Sequence, residues 1–124
     1  MNATLNMPRY QSTDWMRELD FYLQEISILT DRLATITSPQ AGKELMARIE
    51  HFKNKFTALR SRIDGLDHDI KTCEINPGNE GEETPEKIEE HLKLMNDRLF
   101  DRMIALSNSL AITQYDFNQF LSKI

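Results

Sequence analysis

The sequence predicts an all-α protein, an antiparallel up-down-up three-helix bundle with long helices and coiled-coil-like packing, and three observations predict it. From Leu45 to Cys73 the apolar residues Leu45, Ile49, Phe52, Phe56, Leu59, Ile63, Leu66, Ile70 and Cys73 recur at alternating steps of four and three. That spacing keeps one flank of a helix turned toward a neighbour, as in a coiled-coil seam. Trp15, Leu19, Tyr22, Ile26, Leu29, Leu33 and Ile36 repeat the pattern upstream, and Ile88 to Ile124 repeat it downstream with one change of phase. Chain breakers separate the three runs, Ser38-Pro39 at the first junction and Asn76-Pro77-Gly78-Asn79 with Gly81 at the second.

Each element follows in order. Residues 1–11 read as an irregular arm interrupted by Pro8, with Ser12 or Thr13 as N-cap candidates for a first helix over 12–37. Ser38 can accept from the free amides of the next turn, and proline suits a first helical position because its missing amide is not needed there. So short a link demands an antiparallel hairpin. The second helix covers 39–74, residues 75–84 form an acidic linker, and Thr84-Pro85 repeats the cap-and-proline device before a third helix over 85–124. At 1.5 Å per residue the helices span roughly 39, 54 and 60 Å, so the first is too short to cover the other two. The arm, apolar at Ala3, Leu5, Met7 and Tyr10, is expected to lie along the groove left between the end of helix two and the start of helix three. Where the third seam changes phase, two consecutive steps of four lead from Met95 through Leu99 to Met103. Such a stutter rotates the buried face and spreads apolar groups over a wide arc from Leu99 to Ile104.

Composition bounds the rest. A chain of 124 residues makes one domain and can bury about two thirds of its unfolded surface without a disulfide or metal. The lone Cys73 sits on the second seam and reads as a small core hydrophobe, which suits a reducing compartment. No apolar run approaches roughly 18 residues, so no membrane span is expected, and the amino terminus lacks the basic start and apolar run of a secretory signal. A cytoplasmic location follows. The net charge is −5, and the stretch from Glu74 to Thr84 carries Glu74, Glu80, Glu82 and Glu83 without a base. Helix two is the one basic element. With Ile49 at a seam position, Arg48, Lys53, Lys55, Arg60 and Arg62 flank the seam, and Glu18 and Glu25 flank that of helix one, where antiparallel pairing is expected to set them near the basic stretch. Exposed pairs of this kind contribute about 0 to 1 kcal/mol each, so they select a register more than they stabilise it.

No constellation carries chemistry. A di-iron bundle needs Glu-x-x-His on an inward face, yet Arg48, Gly65 and Ile88 stand three residues before His51, His68 and His91. Asp64 and His68 are one turn apart but point outward, and Glu89 and Glu90 read as first-turn acids favoured by the helix dipole. There is no phosphate-cradling loop, nucleophile elbow or Cys-His arrangement. No catalytic residue, cofactor, metal ligand or small-molecule substrate is therefore assigned. The five bases of helix two could neutralise phosphates, but adjacent acids and the absence of interleaved aromatics argue against nucleic acid. The functional lead is apolar: Phe21 and Ile28, seven apart on the outer side of helix one, and Phe100 and Ile104 on helix three, with Phe21 and Ile104 at about the same height. Apolar strips that a core cannot absorb tend to be interaction sites, and symmetric pairing of two copies is the commonest oligomer.

Trp15, Glu18, Leu19 and Phe21, the stretch Ile49-Glu50-His51-Phe52 with Asn54 and Phe56, and Ile63-Asp64 with Leu66 and His68-Asp69-Ile70 resemble a group of small bacterial helical-bundle proteins of unknown function. The resemblance covers helices one and two and implies a bacterial cytoplasmic protein with no assigned activity. The expectation is a non-catalytic helical module for protein interaction or oligomerisation, as a homodimer or with another helical protein. A metal-binding bundle or enzyme, and a nucleic-acid-associated protein using helix two, stand as alternatives.

Overall fold

The computed structural model describes residues 9–36, 42–75 and 84–124, with the side chains of all but 9–12, 73–75 and 88. Three helices account for them, α1 (Arg9–Ala34), α2 (Lys43–Ile75) and α3 (Pro85–Ser122), and no strand occurs among the described residues. The protein is an all-α helical bundle.

Helix boundaries depart from the periodicity by a few residues, each for a local reason. α1 opens at Arg9 rather than at 12, so Arg9–Gln11 belong to the helix and not to the arm. A proline is tolerated at a helix opening, so Pro8 does not prevent this. The helix closes at Ala34, where the amides of Thr35 and Ile36 donate to the carbonyls of Arg32 and Leu33 in tighter, 3₁₀-type bonds. The Thr35 hydroxyl donates to the Arg32 carbonyl at 2.7 Å, and a β-branched pair is a poor continuation of a helix. α2 opens at Lys43, four residues later than expected, because Gly42 acts as the cap, its carbonyl accepting the Met46 amide at 3.0 Å. The expected Ser38-Pro39 device, the arm of residues 1–8 and most of the acidic linker lie outside the described residues. At α3 the expected cap is present: Thr84 is extended and its hydroxyl accepts the Lys87 amide at 3.3 Å, with Pro85 following. α3 ends at Ser122, two residues early, since the last amides find only three-residue bonds to Phe120 and Leu121. Ile124, assigned to the seam, is consequently exposed.

The buried core is the three seams. Trp15, Leu19, Ile26, Leu29 and Leu33 of α1, seven α2 residues from Ile49 to Ile70, and Leu92, Leu99, Met103, Leu106, Leu110, Phe117 and Phe120 of α3 are buried together, with Thr113 the one buried polar residue described. Both residues of the stutter, Leu99 and Met103, are 3% exposed, so the phase change keeps the seam inward. Cross-helix contacts fix which elements meet. Arg60 of α2 donates to the Ser27 hydroxyl of α1, and Arg102 of α3 donates to Asp69 of α2 at 2.6 Å. Phe52 and Phe56 of α2 pack with Phe117 and Phe120 of α3, ring centroids 5.2 Å apart in the closest pairs. The Arg48 guanidinium lies over Phe52 and Phe120 at 5.9 and 5.5 Å and closes this aromatic end. α1 meets α3 through Trp15 stacked on Phe100 at 6.5 Å, and through Gln114 donating to Glu25 at 2.9 Å. Residue numbers rise together along α1 and α3 and in opposite senses along α2 and α3.

Candidate functional site

The four residues singled out for interaction are all on the surface: Phe21 is 58% exposed, Ile28 and Phe100 each 49%, and Ile104 46%. None of the four is absorbed by the core. Between α1 and α3 runs a groove of about 320 Å³ lined by Asp14, Trp15, Glu18, Tyr22, Phe100, Met103, Ile104, Ser107 and Asn108. Its floor is the buried Trp15 and Met103, and its α3 wall is the strip Phe100 and Ile104. Heptad spacing extends it. Residues seven apart share a flank, so groove-lining Asp14 shares its stripe with Phe21 and Ile28, and groove-lining Asn108 shares its stripe with Tyr115. Tyr115 is 64% exposed and was not singled out by the sequence. Its signal was there, four residues beyond Ala111 on the Ile104 side, but it cannot be used until the groove shows which flank of α3 matters. Counting along parallel helices from the Trp15–Phe100 and Glu25–Gln114 contacts puts Phe21 within about 3 to 9 Å of the height of Ile104.

One electrostatic expectation is corrected. Glu18 lines the α1/α3 groove and Glu25 accepts from Gln114 of α3, so neither acid of α1 faces the basic stretch of α2. The two flanks of a seam lie on opposite sides of it, and among three helices each flank meets a different neighbour. The opposite flank of α1 meets α2, where Thr30 and Leu33 share a second groove, about 230 Å³, with Lys53, Phe56, Thr57 and Arg60. Arg62 lines a third, between α2 and α3, with Gly65, Arg102 and Ala105. The bases of α2 are thus divided between two sides of the helix, and Arg48 is engaged with aromatic rings.

No group of three or more His, Cys, Asp or Glu able to hold a metal occurs among the described residues. Asp64 and His68 are exposed, and the His68 Nδ1 lies 3.2 Å from Asp69 rather than against Asp64. Among the described residues Asp69 is the one group with a displaced acidity. The Arg102 guanidinium donating to it, and His68 beside it, hold its carboxyl below the ordinary 3.8. Among the described residues no helix is long and apolar enough to cross a membrane. The chain matches no protein-family model, no curated protein and no solved structure.

Proposed function

We propose that the chain is a non-catalytic helical interaction module, an up-down-up bundle with coiled-coil-like packing whose α1/α3 face binds another helical surface. The observation that carries this reading is the concentration of half-exposed large side chains on one face. Phe21, Ile28, Phe100, Ile104 and Tyr115 occupy stripes of the α1/α3 groove, and Leu94 continues the Tyr115 stripe toward the start of α3. Elsewhere only Met46, Ile112 and Ile124 are large, apolar and exposed among the described residues, and Ile112 lies one turn before Tyr115 on α3. Scattered apolar residues are normal on a protein surface, whereas a contiguous row beside an aromatic-floored groove is characteristic of an interface. The polar groups of the groove point the same way: beside Ser107 and Asn108 it offers the Tyr22 phenol, the Trp15 indole and the carboxylates of Asp14 and Glu18, with no histidine or cysteine.

The test is the pair Phe21→Glu and Ile104→Glu. Helicity by circular dichroism stays unchanged, because neither side chain is in the core, while the mass of the purified assembly by light scattering, or retention of a partner from the native host, is lost. Retention and mass equal to the parent chain would overturn the reading.

A further inference from the structure

The charge around the groove says what kind of helix it takes. Stripes defined by the groove-lining Asp14, Glu18, Ile104 and Asn108 carry, over the length shared by the two helices, the carboxylates Asp14, Glu18, Glu25, Asp97 and Asp101 and the single guanidinium Arg32. Asp97 stands three residues before Phe100 and Asp101 three before Ile104, and both are exposed, so each is a helix-surface neighbour of the apolar strip. Asp14 and Glu18 line the groove beside Trp15, Tyr22 and Phe100. The pairing of aromatic rings with carboxylates suits a cationic side chain whose methylene stem lies on the apolar floor.

Resting on the interaction reading above, we infer that the occupant of the α1/α3 groove is a basic amphipathic helix of a different protein, with apolar anchors flanked by Lys or Arg. A second copy of this chain is a poor occupant. Across a symmetric interface it would bring the same carboxylates against these ones, and like charges set face to face oppose association. Its basic helix, α2, has its apolar seam buried from Ile49 to Ile70, with Met46 the one large apolar residue it exposes among those described. Among its described residues, α2 therefore offers no row of free apolar anchors between its basic flanks.

The experiment uses the full chain and two synthetic helical peptides with identical Leu and Phe anchors at i, i+3, i+4 and i+7, one flanked by Lys and one by Glu. Binding is read from the emission of Trp15, the single tryptophan, which forms the groove floor, and from anisotropy of labelled peptide. The Lys peptide is expected to bind about tenfold or more tighter than the Glu peptide at low salt, with the difference shrinking at about 1 M salt as charges are screened. The variant Asp14→Asn, Glu18→Gln, Asp97→Asn, Asp101→Asn keeps the Glu25–Gln114 bond and should erase the preference while leaving helicity intact. Equal binding of both peptides, abolished by Ile104→Glu, would overturn the basic-helix inference and leave the groove as an interface. Binding of neither, with a dimer that Phe21→Glu and Ile104→Glu dissociate, would overturn it in favour of a second copy. Binding of neither by a monomer would end the interaction reading itself.

Discussion

At the residue scale the sharpest contrast is between two kinds of phenylalanine. Phe117 is fully buried among Phe52, Phe56 and Phe120, whereas Phe21 touches its neighbour Tyr22 at a centroid distance of 6.3 Å and stays exposed. Phe117→Ala leaves a cavity that close-packed rings cannot fill and should destabilise by about 3 to 5 kcal/mol. Phe21→Ser should change stability by less than about 0.5 kcal/mol. Urea unfolding of the two variants checks both, and comparable losses would mean that Phe21 is part of the core. Asp69 supplies a pH-dependent counterpart. Its folded acidity constant lies below the unfolded one because Arg102 and His68 favour the carboxylate, so its contribution is present above about pH 4 and fades as pH falls through the folded value. Solvent reaches this pair, with side chains 46% and 43% exposed, so the effect should stay below about 1 kcal/mol. Asp69→Asn should flatten the decline of melting temperature below pH 4 and leave the neutral-pH slope alone.

At the scale of the element, local chemistry explains why the seams were legible and the ends less so. Every interior seam residue described, from Trp15 to Leu33, Leu45 to Ile70 and Leu92 to Phe120, is buried or half-buried, because a three-four repeat has one solution on a helix. The Thr84-Pro85 start was legible for the same reason, since cap and proline act within one turn. Gly42 was not, as glycine signals a break without saying which residue donates to it. Nor could periodicity assign Glu18 and Glu25 to α3: the side on which the third helix folds over the first two decides that, and a repeat is blind to it. Two substitutions probe the elements themselves. Thr84→Ala removes the acceptor for the Lys87 amide and should cost about 0.5 to 2 kcal/mol, with fraying visible in the amide shifts of the first turn of α3. Gly65→Ala should act oppositely. The added methyl would sit 3.8 Å from the Arg102 guanidinium, an ordinary contact, so the helix gains about 0.5 to 1 kcal/mol of propensity without a clash. A fall in melting temperature would show that the arginine cannot share that space.

Over the whole molecule, helix length decides where the bundle is three helices thick. α1 has 26 residues against 33 and 38 for α2 and α3. From Trp15, level with Phe100, α1 reaches back six residues to Arg9, and from Glu25, level with Gln114, it reaches forward nine to Ala34. It therefore runs beside α3 from about Leu94 onward, and among the described residues only α2 lies beside the first turns of α3. A pair of helices shares one seam, and Leu92 there is 5% exposed against 0% for Leu106. Regions with fewer buried contacts open locally below the global unfolding free energy. Amides of residues 89–94 should thus exchange with solvent deuterium at an opening free energy at least about 2 kcal/mol below that of residues 106–117 and with little dependence on denaturant, whereas 106–117 should exchange through global unfolding with its full slope. Native-state exchange at low denaturant reads both quantities in one experiment. Equal free energies and equal slopes for the two stretches would mean that the start of α3 is covered to the same depth as its middle, and the length argument would fail.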